Sequence, residues 1–319
     1  MIETTVIIAA YRAEETLGAC VESVLGASPS GVEILIADDA SPDGTAAVAD
    51  ALAQRHAQIR VLRLAENGGP GAARNAALAQ ARGEWVAVLD ADDRFCPDRL
   101  ARLTAFARGH GADIVCDGLV LADMAGRQAP APPLCFDGAP EGRRWTLPDY
   151  LRGNQMRDGR MSLGYLKPLI RRRFLVEHGI AYDPRLRNGE DFHLVLAMLI
   201  AGADMRYLPQ PGYLYTTRSG SVSHRLDPDH ARQLLIADRE VLREHAAVLG
   251  PRGRAEMRRR IRLNTDLAVA EEAIGLLKAR RPFAAGGRIA RRPRATARLL
   301  RQLSAAARKR LPGAGPPGP

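Results

Sequence analysis

Hydrophobic positions in the first 120 residues follow two alternating patterns. Short runs rich in Val and Ile predict buried strands at Thr5–Ala10, Val32–Ala37, Arg60–Leu64, Trp85–Leu89 and Asp113–Val115. Alanine-rich segments with helical spacing lie between them, at Thr16–Leu25, Thr45–His56, Gly71–Ala81 and Asp98–Ala107. This alternation predicts right-handed βαβ units, and therefore a mostly parallel sheet with helices on both faces. Ligands of such sheets bind at the carboxyl ends of the strands.

The alternation ends near residue 117. Residues 118–160 contain several glycines and the segment Ala129-Pro130-Ala131-Pro132-Pro133, which together predict a loop-rich insertion. Shorter helices and strands are predicted beyond it, at Arg171–His178, Glu190–Ala201, Met205–Leu208 and Gly212–Tyr215. Only helices are predicted after Pro228, and the Pro- and Gly-rich end is predicted to be disordered.

These patterns divide the chain into three parts. We expect an α/β domain at residues 1–225, with halves at 1–117 and 118–225. A helical region at 226–311 and a disordered end at 312–319 follow. With 319 residues, of which 46% are hydrophobic, the chain is long enough to bury a core without disulfides or structural metals.

Positive charge is concentrated at the end of the sequence. The chain has 46 Lys and Arg and 36 Asp and Glu, but the last acidic residue is Glu272, and 12 basic residues follow it. Subtraction leaves 34 basic and 36 acidic residues in residues 1–272, a net charge of −2. A nearly neutral body argues against nucleic acid as its partner. The basic end indicates an anionic partner, which the charge alone leaves open between a membrane surface, nucleic acid and an acidic protein.

The basic end also has helical amphipathic spacing. At about 100° per residue, one side of a helix over Arg294–Lys309 carries most of its basic residues, and the opposite side carries Ala and Leu. This layout is typical of a helix that binds an anionic membrane surface. The alternative is a basic helix that packs its apolar side on the rest of the protein. Binding to nucleic acid is less favoured, because no aromatic residue follows Phe283.

Three further observations bear on the location of the protein. The longest apolar stretch, Val195–Ala203, is far shorter than the about 20 residues of a membrane span, so no transmembrane helix is expected. The first residues lack the basic segment of a signal peptide, which predicts a cytoplasmic protein. Cysteines are predicted to be reduced, because they lie far apart in the sequence, at Cys20, Cys96, Cys116 and Cys135.

Carboxylates follow two of the predicted strands. The second strand ends in Asp38-Asp39, and the fourth in Asp90-Ala91-Asp92-Asp93. Turn and helix-cap chemistry is the simpler explanation for either group alone. Two such groups at the ligand-binding edge of one sheet favour a bound divalent cation, which relieves the repulsion between them. The segment Asn67–Gly71, which opens a helix carrying Arg74 and Asn75, is a weaker signal, because it also suits a plain strand-to-helix connection.

In this order, the motifs resemble those of family 2 glycosyltransferases, which are inverting enzymes of the GT-A fold that use nucleotide sugars. The resemblance covers roughly residues 4–225. It rests on Ile7 through Arg12, Asp38 through Thr45, Asn67 through Asn75, Leu89 through Asp93, Asn188 through Asp191, and Tyr215 through Ser223. The implied fold has a nucleotide-sugar half at 1–117 and an acceptor half at 118–225.

The resemblance implies a donor site at the strand ends. Ala10 and Tyr11 would line the base pocket, Asp39 would contact uracil, Arg74 would lie near the nucleotide, and Asp92 would bind the ribose. Asp93 would hold Mg²⁺ or Mn²⁺ at the diphosphate, supported by Asp90 and Asp92. Such ions take few protein carboxylates, keep positions for phosphate oxygens, and stabilise the leaving diphosphate.

The acceptor side requires a base. Inverting transfer needs one carboxylate to remove a proton from the attacking hydroxyl. By resemblance, Asp191 is that base and Glu190 its helper, although acids at a helix start also occur for the helix dipole alone. Arg218 is predicted to bind diphosphate oxygens, with a solvated loop arginine as the alternative.

Processive members of the family share a Gln-x-x-Arg-Trp motif. Here Arg144-Trp145 precedes Glu190, and Glu141 replaces the Gln, which predicts addition of a single sugar. The expected activity is hexosyl transfer from a nucleoside-diphosphate sugar, with UDP-hexose favoured. The expected acceptor is a saccharide, lipid-linked, in cell-envelope or exopolysaccharide assembly at the inner face of the plasma membrane. The alternatives are a sugar nucleotidyltransferase, which would carry a Gly-rich first loop, and an inactive nucleotide-binding scaffold.

Overall fold

The computed structural model describes residues 2–27, 31–123, 127–130, 141–155, 162–217, 227–290, 292, 293, 295–297, 299 and 300. Within these residues, the strands join into a single ten-stranded sheet. They are β1 (Thr4–Ala10), β2 (Val32–Asp38), β3 (Ile59–Arg63), β4 (Trp85–Asp90), β5 (Arg94–Phe95), β6 (Ile114–Ala122), β7 (Gln128–Pro130), β8 (Arg144–Trp145), β9 (Leu169–Arg171) and β10 (Met205–Thr216).

The sheet order confirms the predicted fold class. The main path runs β3-β2-β1-β4-β9-β6-β10-β5, while β7 pairs with β6 and β8 with β10. The first four strands of this path are parallel, and so are β6 and β10. The short strand β9 is antiparallel to both β4 and β6 and joins the two parallel groups. The result is a mostly parallel sheet whose helices cover its faces.

The helices follow the predicted alternation in the first half of the chain. They are α1 (Leu17–Ala27), α2 (Thr45–Arg55), α3 (Pro70–Gln80), α4 (Arg99–His110), α5 (Leu147–Gly153), α6 (Arg172–Glu177), α7 (Glu190–Ile200), α8 (Pro228–Glu244), α9 (Ala246–Lys278) and α10 (Pro282–Ile289). A 3₁₀ turn occupies Leu163–Tyr165. The interior residues of β1, β2 and β4 are almost completely buried, as expected for central strands covered on both faces.

Two strands are longer than the sequence pattern predicts. Strand β6 continues to Ala122, into the segment predicted to be loop-rich. Strand β10 is one element instead of two, with register shifts around Pro211 where it pairs with β6. Gly118 of β6 permits this pairing, because a side chain there would approach the carbonyl oxygen of Pro209 to 3.1 Å. A glycine in a strand often marks such a close backbone approach.

The chain forms two compact units. The first comprises residues 1–221 and 247–253, and the second residues 222–246 and 254–319. Helix α9 bends at Gly250, which has φ of 60° and is followed by Pro251. In the second unit, Asp238 is fully buried, and Arg260 and Asn264 donate hydrogen bonds to it. None of the helices in the described ranges combines the length and the apolar character needed to cross a membrane.

Candidate active site

The ends of β1 and β2 meet at one edge of the sheet. Ala10, the last residue of β1, lies opposite Asp38 and accepts a hydrogen bond from the backbone N–H of Asp39. Tyr11 follows with its side chain 44% exposed, and the guanidinium of Arg12 lies 5.4 Å from the centre of its ring. This edge therefore combines a buried strand end with an exposed aromatic ring.

Asp39 is a buried anchor for the loop that precedes α3. Its two carboxylate oxygens accept hydrogen bonds from the backbone N–H groups of Gly68 and Gly69, both at 2.8 Å. Only 3% of Asp39 is exposed. Gly69 has φ of 88°, a conformation that favours glycine, and it precedes the Pro70 that begins α3.

The loop and helix α3 bind the segment that leads to the acceptor-side acids. Arg187 donates hydrogen bonds to the side-chain and backbone oxygens of Asn67. The Asn75 amide exchanges hydrogen bonds with the backbone of Tyr182, at 2.8 and 2.9 Å. Residues 67–75, a weak signal in the sequence, therefore connect the two predicted halves of the catalytic domain.

Asp90, at the end of β4, is paired with two buried cations. Arg74 binds one carboxylate oxygen at 2.7 Å, and Lys167 binds the other at 2.8 Å. Burial raises the pKa of Asp90, but Lys167 and Arg74 outweigh burial and lower this pKa to about 2. Asp90 is therefore held as a carboxylate.

Asp93 lies in a different environment only three residues away. It is 1% exposed and accepts hydrogen bonds from the Tyr213 hydroxyl and the Thr216 backbone N–H, both at 2.7 Å. Burial, together with the negative charges of Asp90 and Asp92, raises the pKa of Asp93 well above its ordinary value. Asp92 is only half-buried.

Glu190 and Asp191 begin α7 and face the same cations. Arg74 binds Glu190 at 2.8 Å and Asp191 at 2.9 Å, and Lys167 binds the other Asp191 oxygen at 2.7 Å. Burial and the neighbouring charge of Asp191 raise the pKa of Glu190, in spite of Arg74 and Lys167. The structure therefore brings the acceptor-side acids of the prediction to the carboxylate at the end of β4.

Arg74 is buried among the acids at this edge of the sheet, and its predicted position near the nucleotide stays a prediction. It is 3% exposed and its guanidinium is bound to Asp90, Glu190 and Asp191, so it organises carboxylates. Arg218, the predicted diphosphate ligand, lies outside the residues that the structure describes. Of the cysteines, Cys20, Cys96 and Cys116 are free thiols, and Cys135 is also outside the described residues.

Lys167 is the site residue that the sequence prediction missed. It stands alone among apolar residues between Leu163 and Ile170 and is 6% exposed. An isolated lysine in such a run is a usable signal, because a buried ammonium group needs a carboxylate partner. The sequence does not say which carboxylate that is.

Comparison with known proteins gives the family. The profile described as Glycosyl transferase family 2 matches residues 5–179. The chain is 37% identical to the succinoglycan biosynthesis protein ExoO of Rhizobium meliloti (strain 1021), over 76% of this chain and 69% of that protein. Identity is also 37% to the succinoglycan biosynthesis protein ExoU of the same organism, over 75% and 69%. The crystal structure of S. aureus TarS residues 1–349 with UDP-GlcNAc has the same fold, with a TM-score of 0.61, 21% identity and coverage of 77% and 70%.

The chain therefore belongs to glycosyltransferase family 2, as its motifs predicted, and its activity is the transfer of a sugar. The predicted GT-A fold is also confirmed.

Proposed function

We propose that this glycosyltransferase moves a hexose from a UDP-sugar to a hydroxyl group of a saccharide, during assembly of an exopolysaccharide or another cell-envelope polysaccharide. Two relatives are named for succinoglycan biosynthesis, and the TarS structure contains UDP-GlcNAc. The observation that carries the proposal is the connection of Glu190 and Asp191 to Asp90 through Arg74. This connection unites an acceptor-side acid pair with the strand end at which a nucleotide sugar would bind.

Asp191 acts as the general base in this proposal. Its side chain is 12% exposed at the start of α7, with its two oxygens held by different cations. As the acceptor oxygen attacks the anomeric carbon, its proton passes to Asp191 and the bond from that carbon to the diphosphate oxygen breaks with inversion. Glu190 is the helper, because the Arg74 nitrogen that binds Asp191 also binds Glu190 and so holds the two acids together.

The carboxylates after β4 suit a divalent cation of limited protein coordination. No cluster of three or more His, Cys, Asp or Glu side chains in the described residues is arranged as a complete metal site. An ion at the diphosphate would need only one or two carboxylates. Burial first, and then the negative charges of Asp90 and Asp92, raise the pKa of Asp93, and this local negative charge favours a nearby cation. When bound, Mg²⁺ or Mn²⁺ stabilises charge on the leaving diphosphate.

We assign the metal mainly to Asp92. Asp90 is already paired with Arg74 and Lys167, and both Asp93 oxygens accept hydrogen bonds inside the protein. Asp90 and Asp92 are both half-buried, whereas Asp93 is 1% exposed, so a bound ion would reach Asp92 more readily than Asp93. This assignment replaces Asp93, which the resemblance alone would favour, and leaves Asp93 to fix the loop after β4 against β10.

The experiment that tests the proposed function is a measurement of nucleoside diphosphate release from a panel of UDP-, GDP- and dTDP-sugars in Mn²⁺. Acceptors in the panel would be lipid extracts and soluble oligosaccharides. We expect UDP release only with a UDP-hexose, and faster release when an acceptor is present. UDP binding without turnover on any acceptor would instead indicate an inactive nucleotide-binding protein.

The second unit carries a surface that suits an anionic membrane. From the end of α9 through the first turn of α10, every residue from Lys278 to Ala284 is exposed, among them Arg280 and Arg281, and Phe283 is 95% exposed. Basic residues beside an exposed aromatic ring are typical of membrane-interface segments. Docking there would place the enzyme at the inner face of the plasma membrane and raise its effective concentration toward a lipid-linked acceptor.

Vesicle flotation tests this membrane contact. The full-length protein should bind anionic vesicles at low salt, and added salt should weaken binding because the attraction is screened. Deletion of residues 282–319 should release the protein while UDP binding persists, and Phe283→Ser should weaken vesicle binding more than Val248→Ser, which alters another exposed apolar residue. Full-length protein that ignores such vesicles would favour a soluble acceptor.

A further inference from the structure

Lys167 bridges the two carboxylates that define the site. Its ammonium group lies 2.8 Å from one oxygen of Asp90 and 2.7 Å from one oxygen of Asp191. The lysine is 6% exposed. Burial alone would lower the pKa of Lys167, but the charges of Asp191 and Asp90 outweigh it and raise that pKa above its ordinary value. Lys167 is therefore a buried cation whose charge is balanced by the donor-side and acceptor-side acids together.

Arg74 forms the second bridge between the same two carboxylates. Its guanidinium binds the other oxygen of Asp90 at 2.7 Å and the other oxygen of Asp191 at 2.9 Å. The four groups thus form a closed ring in which each cation contacts both acids and each acid contacts both cations. A carboxylate held through both oxygens has little freedom to rotate. The ring fixes the orientation of Asp191 relative to the end of β4.

The backbone of Lys167 is itself held to the sheet. Its carbonyl oxygen accepts a hydrogen bond of 2.6 Å from Arg99, which is fully buried and also binds Asp117 through two nitrogens. The next residue, Pro168, accepts a hydrogen bond from Val88 of β4. Lys167 therefore starts from a fixed point beside the strand that ends in Asp90.

Arg74 cannot replace Lys167 in the ring. The guanidinium nitrogen that binds Asp191 also binds Glu190, so it is shared between two acids. The five groups together carry three negative and two positive charges, and loss of Lys167 would leave a single cation for three acids. One oxygen of Asp191 would then lose its ion pair, and the carboxylate could turn away from the acceptor.

We propose that Lys167 is a positioning residue for sugar transfer, which orients the base Asp191 and couples it to Asp90 on the donor side of the site. This inference rests on the proposed role of Asp191. It assigns a function to a residue outside the motifs that define the family resemblance. Lys167 acts through Asp191 and makes no contact with substrate in this proposal.

A double-mutant cycle tests the proposal, using Lys167→Met, Asp191→Asn and the combined variant. Misplacing a reactive group by an ångström costs on the order of 10²-fold in rate, so we expect Lys167→Met to lower kcat by about that factor. The KM for the donor should change by less than about threefold, because the orientation of the base matters only in the transition state. In the Asp191→Asn background, Lys167→Met should have little further effect on kcat.

Two further variants separate positioning from general damage. Lys167→Gln removes the charge and keeps a polar side chain. We expect it to lower kcat by a similar factor, and it provides the test of the proposal if Lys167→Met folds poorly. Arg171→Met is the matched control. Arg171 lies four residues after Lys167 in the sequence, is a half-buried cation, and binds Asp113 instead of an acid of the ring. This control should keep kcat near normal. UDP binding shows that each variant is folded.

Three results would overturn the proposal. The first is a normal kcat in both Lys167 variants. The second is that Lys167→Met lowers kcat by the same factor in the wild-type and the Asp191→Asn backgrounds. The third is that the Arg171→Met control lowers kcat as much as Lys167→Met does. Failure of the underlying function is distinguishable, because Asp191→Asn alone would then turn over at a normal rate.

Discussion

Two carboxylate groups that look alike in the sequence are satisfied in different ways. The β2 group, Asp38 and Asp39, follows one strand, and the β4 group, Asp90, Asp92 and Asp93, follows another two positions along the sheet. Asp39 binds two backbone N–H groups of the next loop, and Asp38 accepts a hydrogen bond from the Ser41 backbone. All these donors are neutral and lie within 30 residues in the sequence.

In the β4 group, Asp90 is paired with charges from distant parts of the chain. Asp90 binds Lys167 and Arg74, and through them is joined to Asp191, about a hundred residues further on. Its pKa falls to about 2, while burial and like charge raise the pKa of Asp93. Neutral donors thus hold the turn after β2, whereas the cations beside Asp90 and the burial of Asp93 shift the pKa values of two neighbouring carboxylates in opposite directions, a pattern that is common at functional sites.

The sharpest test of this difference compares Asp191→Asn with Asp39→Asn. Loss of a general base lowers the rate by about 10²- to 10⁴-fold, so Asp191→Asn should reduce kcat by at least about 10²-fold and leave UDP affinity largely intact. Asp39→Asn should act mainly on UDP affinity and stability, because it disturbs the loop before α3. Steady-state kinetics with UDP binding checks both.

Glu190→Gln is the control for the choice of base. It should lower kcat less than Asp191→Asn, since Arg74 binds Glu190, whereas both Arg74 and Lys167 bind Asp191. An inactive Glu190→Gln beside an active Asp191→Asn would exchange the two roles.

A second prediction compares Arg74, which binds Glu190 and Asp191, with Arg187, which binds Asn67. Arg74→Met leaves the buried Glu190 and the half-buried Asp90 and Asp191 with one cation, and breaking a buried ion pair costs about 3–5 kcal/mol of folding free energy. Arg187→Met loses two half-buried hydrogen bonds to neutral oxygens of Asn67 near the β2 group, which total about 1–3 kcal/mol at the net value of about 0.5–1.5 kcal/mol for an ordinary hydrogen bond. Urea unfolding should therefore show the larger loss for Arg74→Met. Equal losses would mean that the ion pairs of Arg74 contribute no more to stability than the hydrogen bonds between Arg187 and Asn67.

Much of this organisation could be predicted from the sequence. Strands β1, β2 and β4 and helices α2 and α3 lie within one or two residues of their predicted bounds, because buried parallel strands give continuous Val- and Ile-rich runs. Asp191 and Glu190 were also singled out, and the structure places them beside Asp90. The predicted domain boundaries and the predicted roles of these residues stay predictions.

What the sequence could not provide is the pairing within the site. Lys167, Arg74 and Asp90 are separated by up to 93 positions, and their meeting depends on β9 pairing with β4, which no local pattern specifies. The enclosure of Asp93 likewise depends on Tyr213 and Thr216 in β10, a strand that the pattern divided into two. Burial of charge is a tertiary property and is invisible in local periodicity.

A third prediction separates the members of the β4 group by metal-dependent binding. Losing even an outer-shell partner of a metal costs about 10- to 100-fold in affinity, so Asp92→Asn should weaken UDP binding in Mn²⁺ by at least that much. Binding without metal should change little. Asp93→Asn should have a smaller metal-dependent effect, because its carboxylate is already bound to Tyr213 and Thr216. The opposite ranking in calorimetric titrations would return the metal to Asp93.

The smallest effect concerns acid stability of the β4 group. The folded-state pKa of Asp90 is lowered from 3.8 to about 2, so its ion pairs stabilise the protein fully above the unfolded-state pKa and lose that contribution as pH falls toward about 2. Linkage over this window makes the stabilisation about 1 kcal/mol weaker at pH 3 than at pH 5. Asp90→Asn removes the titrating group, so the gap in unfolding free energy between wild type and variant should narrow by that amount as pH is lowered. Urea titrations at both pH values measure the gap. A gap that is constant or widens on acidification would show that Lys167 and Arg74 do not hold Asp90 in its ionised form, and the contrast between the two carboxylate groups would lose its electrostatic basis.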